Sequence, residues 1–253
     1  MNKSIVKRLY DSVRSDQRGF SLLEIVVVII IIGVLSAIAV QNFSAQTDKR
    51  RDASTLAELQ DLKRAIVGDP DKISDGIRTD FGYVGDMGAL PAALSSLVID
   101  PSGGTSNWSG PYMSVNFNED PLDYAKDAYN ENYVPSGDYL SFYSPGADAT
   151  VQIAASSAPL LSNTVQILIT DRDGRIPQAS DLVNISVVIT LQSGGSVNGT
   201  VTAGGLCTIN GVHMGNHIVT VTHAVTAEVV IKRISINPGA SPAPVEIIFE
   251  ALP

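Results

Sequence analysis

Arg18-Gly19-Phe20-Ser21-Leu22-Leu23-Glu24 runs without a break into Ile25-Val26-Val27-Val28-Ile29-Ile30-Ile31-Ile32-Gly33-Val34-Leu35-Ser36-Ala37-Ile38-Ala39-Val40. Residues 20–40 supply about the 20 mostly apolar positions that one helix needs to cross a bilayer. In water so many Val and Ile residues would favour a strand. In lipid each backbone group must find its partner within the segment, so the helix wins. One residue breaks the pattern, because Glu24 is an acid inside an apolar run. An ionised carboxylate at the centre of a spanning helix costs about 2.5–3.5 kcal/mol, and less near its end. A plain anchor has no use for it, so Glu24 calls for a cationic partner.

Upstream, residues 1–19 carry Lys3, Lys7, Arg8, Arg14 and Arg18 against Asp11 and Asp16. That basic leader holds the N-terminus in the cytoplasm and sends the remainder outward. Two plainer readings stand beside this one. A secretory signal would have a shorter apolar core and a small-residue cleavage site, which Ser36-Ala37-Ile38-Ala39 imitates. An uncleaved single-pass anchor would leave Glu24 without a role.

Downstream, residues 41–67 contain neither proline nor glycine, and Gly68-Asp69-Pro70 then reads as a stop. Ala53, Leu56, Leu59 or Gln60, Leu62 and Ile66 recur at helical spacing, with Lys49, Arg50, Arg51, Asp52, Glu58 and Asp61 on the other face. The pattern predicts one helix over 20–67, roughly 70 Å long, whose second half carries a globular layer on its apolar stripe. Gly33 and Ser36 are the weaker points of the helix.

The leader, the Gly19-Phe20 junction, Glu24 as the fifth residue after it, and the apolar helix together resemble the processing site of the type IV pilin and type II secretion pseudopilin families. The resemblance implies that a prepilin peptidase cuts between Gly19 and Phe20. It implies that the new Phe20 amine is N-methylated and that the subunit enters a homo-oligomeric filament. There the Glu24 carboxylate of one subunit would pair with the Phe20 amine of its neighbour. A buried pair of this kind serves register more than stability. The implied partners are the peptidase, other pilins, an inner-membrane assembly platform and, indirectly, a cytoplasmic ATPase. The implied location is the inner membrane, crossed once, with periplasmic C-terminal parts, or an extracellular filament if the assembly is a pilus.

Composition is consistent with that. The chain of 253 residues has net charge −9; the leader accounts for +3 of it, so the remainder stands at −12. An acidic exterior argues against nucleic acid as a partner and against docking on an anionic lipid surface. Cys207 is the sole cysteine, so no intrachain disulfide forms. Its strand-like surroundings predict a buried, inert thiol.

From residue 71 to about 148 the chain is loop-rich. Leu90-Pro91, a short helix at 94–97, Gly110-Pro111-Tyr112, Asp120-Pro121 and a strand around Tyr139-Leu140-Ser141-Phe142-Tyr143 follow in the order of a major pseudopilin, which such a sequence resembles. The resemblance implies a small antiparallel sheet, and calcium in the closing loop, here Ser144-Pro145-Gly146-Ala147-Asp148. That loop offers one acid, while calcium takes six to eight oxygens. Asp138 or Asp127 would have to join it, so the expectation is no cofactor, with calcium kept as the one candidate.

After an Ala/Ser-rich bridge at 154–159, seven short alternating or β-branched runs appear, at 165–170, 185–191, 197–202, 206–209, 218–222, 229–236 and 245–249. Turn signals separate them, which predicts an antiparallel β-sandwich. Asp171 to Gly174 and the stretch from Gly205 through Gly215 to Val221 resemble carboxypeptidase regulatory-like (transthyretin-like) modules. The expected class is therefore α+β: a long membrane and filament helix with a small sheet, then an all-β sandwich. The expected parts are a leader at 1–19, a pilin domain at 20–153 and the sandwich at 160–253.

No nucleophile elbow, Walker loop or dinucleotide fingerprint is present. Cys207, His213, His217 and His223 lack the spacing of a compact zinc motif, and the histidines are expected on the surface or across strands. Asp171-Arg172-Asp173-Gly174 begins like a calcium loop but lacks the later ligands, so it reads as a turn closed by Gly174. Trp108 caps a small core in this reading. The site residues are thus Gly19, Phe20 and Glu24, for processing and assembly; no catalytic or metal residue is assigned, and no enzyme is expected. The function that follows is a structural subunit of a secretion pseudopilus or a pilus-like filament. A pilus subunit with a projecting adhesive sandwich, or an anchored binding protein that never polymerises, are the alternatives.

Overall fold

A computed structural model describes residues 20–114, 122–239 and 243–252. The basic leader, Gly19 and Asp120-Pro121 lie outside them. The chain divides into two compact units, Met1–Arg50 and Arg51–Pro253.

Helix α1 spans Leu22–Val67 and passes through Gln41 unbroken. Ser21 begins it: its carbonyl accepts the Ile25 N–H at 3.2 Å and its hydroxyl accepts the Glu24 N–H at 3.1 Å. These are the bonds of an N-cap serine, which satisfies a donor that the first turn leaves orphaned. At the other end Gly68 adopts φ +74°, and its N–H closes on the Arg64 carbonyl at 2.7 Å. A Cβ there would lie 2.4 Å from the Asp80 carbonyl oxygen, so only glycine fits. Arg78 completes the stop by donating to the Val67 carbonyl while its guanidinium covers the Phe81 ring at 4.5 Å. A cation on the last carbonyls suits the negative end of the helix.

Within Arg51–Pro253 the helix buries Thr55, Leu59, Leu62, Ala65 and Ile66. The stripe expected from spacing is thus corrected at its start. Ala53 and Leu56 face solvent, and Thr55 takes the inward place because its hydroxyl accepts the Ala128 N–H at 3.2 Å. A buried hydroxyl with a partner is tolerated where an unpaired one is not. Against this face pack helix α2 (Gly82–Met87), a 3₁₀ turn at Leu94–Leu97, and the sheet β3-β4-β5 defined below. Trp108 lies partly buried at the edge of this core, its ring nitrogen donating to the Ser96 carbonyl at 2.9 Å.

The strands follow from pattern and turns. β1 (Ile73–Ser74) and β2 (Ile77–Arg78) form a tiny hairpin whose turn residues, Asp75 and Gly76, both have positive φ. An Asp-Gly pair is the sequence signal for such a turn. β3 (Val134–Pro135), β4 (Ser141–Ser144) and β5 (Ala149–Gln152) make an antiparallel sheet with Phe142 fully buried. A short helix α3 (Ala158–Leu161) leads into β6 (Asn163–Asp171).

Strands β6, β7 (Ile185–Thr190), β8 (Ser196–Gly199), β9 (Leu206–Val212), β10 (Gly215–His223), β11 (Glu228–Ile236) and β12 (Val245–Phe249) build two sheets, β11-β10-β7-β8 and β12-β6-β9. All seven expected strands are present. The expectation of a purely antiparallel sandwich is corrected, because β12 runs parallel to β6, with Ile247 opposite Ile169. A crossing from the end of one sheet into the other delivers β12 in that direction. Ile167, Ile169, Val187, Ile189, Val219, Val221 and Phe249 fill the space between the sheets. Each such fully buried apolar side chain contributes roughly 1.5–3 kcal/mol.

The two cores of Arg51–Pro253 touch. Met214, in the link between β9 and β10, is fully buried in the core under α1, and its N–H donates to the Leu160 carbonyl at 2.8 Å.

Candidate functional site

Phe20 precedes the first turn of α1 and is 77% exposed, and Glu24 lies within that turn. The Ser21 cap explains why the acid sits there: Ser-x-x-Glu is a capping-box spacing, and a carboxylate is favoured at the positive end of a helix. Sequence reasoning missed Ser21, although that spacing was the available signal. Gly19 lies outside the described residues, so the junction itself has no geometry here.

From Ile25 to Val40 every large apolar side chain of α1 is exposed. Among the described residues α1 is one helix long and apolar enough to cross a membrane. So continuous an exposed apolar surface is unusual for a protein in water. The charged group at its head is the acid Glu24.

The remaining candidates resolve into structural roles. The three histidines are buried, which corrects the surface placement. His217 accepts the Gln192 N–H on Nδ1 at 3.1 Å and donates from Nε2 to the His213 carbonyl at 2.7 Å. His213 donates from Nδ1 to the Met214 carbonyl at 2.7 Å and accepts from Ser193 on Nε2 at 2.8 Å. Both rings are therefore locked neutral. Burial pushes the His213 pKa down and the His217 pKa down to about 4. His223 lies 2.9 Å from both oxygens of buried Asp181, and accepts the Thr226 N–H at 3.1 Å, which pins the turn between β10 and β11. Cys207 is fully buried, and burial pushes its thiol up to about 11, as an inert cysteine requires.

Asp171 accepts the N–H groups of Asp173 and Arg175 on one oxygen, while Gly174, at φ +78°, donates to its carbonyl at 3.0 Å. That is a turn, as read from the sequence. Among the described residues no three His, Cys, Asp or Glu side chains gather as metal ligands would.

The closing loop at 144–148 was the place reserved for calcium. Asp127 does approach it, yet both its oxygens are occupied by donors. Oδ1 accepts the N–H groups of Tyr129 and Glu131, each at 2.9 Å. Oδ2 accepts the Ser144 hydroxyl at 2.6 Å and the Gly146 N–H at 3.0 Å. Asp138 is held by Ser136 and Leu140, and Asp148 by Tyr143. Each of these carboxylates thus accepts from donors of its own chain, and both oxygens of Asp127 do.

One comparison with known protein families falls at the start of this helix. Residues 14–40 match the prokaryotic N-terminal methylation motif. The chain is 31% identical over 99 residues to the type II secretion system core protein G of Xanthomonas campestris pv. campestris, covering 39% of this chain and 59% of that protein. It is 40% identical over 53 residues to the protein of that description from Klebsiella michiganensis, covering 21% and 37%. Its counterpart in Escherichia coli strain K12 is 42% identical over 50 residues, covering 20% and 34%. The chain thus matches between about a third and three-fifths of the length of these relatives.

Proposed function

We propose that this chain is a structural subunit of a type II secretion pseudopilus or a closely similar pilus-like filament, and that it assembles rather than catalyses. In this reading a prepilin peptidase removes residues 1–19 at Gly19/Phe20, the Phe20 amine is methylated, and the chain waits in the inner membrane as a single-pass protein. Its N-terminus faces the cytoplasm, and its head (the core under α1 with the sheet β3-β4-β5) and sandwich face the periplasm. An assembly platform then draws it into a filament with further copies and other pilins.

One observation carries the reading: an apolar helix whose large side chains from Ile25 to Val40 are exposed among the described residues, headed by one acid five residues into the chain that cleavage would leave. Lipid covers that surface before assembly and neighbouring helices cover it afterwards. In both settings the backbone remains paired within the helix. Glu24 is tolerable at the membrane edge. Inside a filament it needs a cation, and the Phe20 amine of an adjoining subunit is the nearest cation that processing creates. The methylation motif at residues 14–40 and the similarity to protein G support this assignment.

The intact mass of the protein extracted from membranes tests it. Loss of residues 1–19 together with the gain of one methyl group is expected. An unprocessed mass overturns the proposal.

A second reading, a pilus subunit whose sandwich adheres to something outside the cell, is favoured by one feature. Ile218, Val229 and Ile231 stand exposed on the outward face of the β10–β11 pair, flanked by Thr220 and Thr222. Filaments visible beyond the cell surface would favour it over secretion.

A further inference from the structure

We propose that the loop closing the small sheet is held by the Asp127 carboxylate in the place a cation would otherwise fill, and that the head folds independently of calcium. The four donors come from two separate pieces of chain. Tyr129 and Glu131 belong to Asp127's own turn, whereas Ser144 and Gly146 belong to the β4–β5 connection. Three of the four are backbone N–H groups, which cannot swing aside to admit an ion at the 2.3–2.6 Å that calcium requires. A carboxylate offers about four lone-pair positions, and all four are taken.

Gly146 is part of the device. A Cβ at that position would lie 2.7 Å from Asp127 Oδ2 and 2.5 Å from the Tyr129 Cβ, so only glycine lets the backbone reach the carboxylate. The hub is in turn fastened to α1. Ala128 donates to Thr55, and the Tyr129 hydroxyl donates to Asp52 at 2.6 Å. One carboxylate therefore joins a turn, a sheet connection and, through its neighbours, the helix. Charge-assisted bonds of this kind are stronger than neutral ones, and a buried acid satisfied this way has no need of a metal.

The test is thermal unfolding of the full-length protein in detergent, once with excess EGTA and once with millimolar calcium chloride. The wild type is expected to melt at the same temperature in both. Asp127→Asn is expected to melt about 4–8 °C lower, equally in both. A wild-type melting temperature that rises saturably with calcium overturns the proposal, and so does an Asp127→Asn protein that melts like the wild type. If Asp127→Asn fails to fold, Ser144→Ala removes one donor of the four. It is expected to melt about 2–4 °C lower in EGTA and in calcium alike, and restoration by calcium overturns the proposal.

Discussion

The side-chain amide of Gln192, just after β7, donates to the carboxylate of Asp86 on α2, 106 residues earlier in the chain. Ser109 and Tyr112 donate to the other oxygen of the same acid. The Oε1 of the same amide accepts the Asn216 N–H at 2.8 Å, at the start of β10. One glutamine therefore joins a buried acid of the head to the backbone of the sandwich. Gln192→Ala would leave both with one partner fewer. A loss of about 1–3 kcal/mol of unfolding free energy is expected, read by urea denaturation at neutral pH. A change below about 0.5 kcal/mol, the ordinary range for surface substitutions, would show that the contact is idle.

Leu56 and Leu59 lie about 60° apart around the helix and differ sharply in burial, at 52% and 1% exposed. Leu59→Ala is expected to destabilise the protein by about 2–5 kcal/mol, since it opens a cavity. Leu56→Ala should change stability by less than about 0.5 kcal/mol. Equal effects would contradict the observed helix face.

Gly199 lies against Cys207 within the sandwich. A Cβ added there would come within 2.3 Å of the Cys207 sulfur and 2.7 Å of Ile209. Gly199→Ala should therefore destabilise by about 1–3 kcal/mol through overpacking. Adding Cys207→Ala should return part of that loss, and a double mutant that is strictly additive would refute the clash.

His217 supplies a pH dependence with a definite sign. In the unfolded chain the ring gains its proton near the ordinary value of 6.5, whereas in the folded protein burial holds it neutral down to about 4. Between those values the unfolded state binds more protons, so stability falls as pH drops and this contribution is flat above 6.5. The slope is up to about 1.4 kcal/mol per pH unit, and His213, shifted the same way, adds to it. Urea midpoints at about pH 7 and pH 5 should differ accordingly. His217→Gln should reduce the difference, and an unchanged slope in that variant would discard the assignment.

Glu24 tests the proposed assembly. Its replacement by Ala leaves a terminal amine without a counter-ion among apolar helices, a loss of about 3–5 kcal/mol per subunit. Sheared filaments should disappear while processed protein still accumulates in the membrane. Normal filaments from Glu24→Ala would refute the pairing.

Much of this was legible in the chain of residues. The seven strands of the sandwich could be read because alternation and turn residues are local signals, as in β6, where inward and outward positions alternate from Asn163 to Asp171. The long helix could be read because no breaker interrupts residues 41–67. The hairpin at Asp75-Gly76 and the cap at Ser21 also had local signals, but both are short and lie between stronger patterns. The direction of β12 had none, because strand direction depends on which neighbour completes the sheet. The burial of the three histidines was equally hidden, since Gln192, Ser193 and Asp181, which pair with their rings, are brought close only by folding.

Reading residues in order is enough to find a membrane-length helix with one acid near its start, and a run of strands behind it. Those properties depend on residues adjacent along the chain, whose periodicity and backbone needs are satisfied locally. Folding in three dimensions is what puts Thr55 in place of Leu56 on the buried face, ties the closing loop to Asp127, and brings Gln192 to Asp86. Each of these is a polar group made tolerable in the interior by a partner distant in sequence, and packing alone determines which partner arrives.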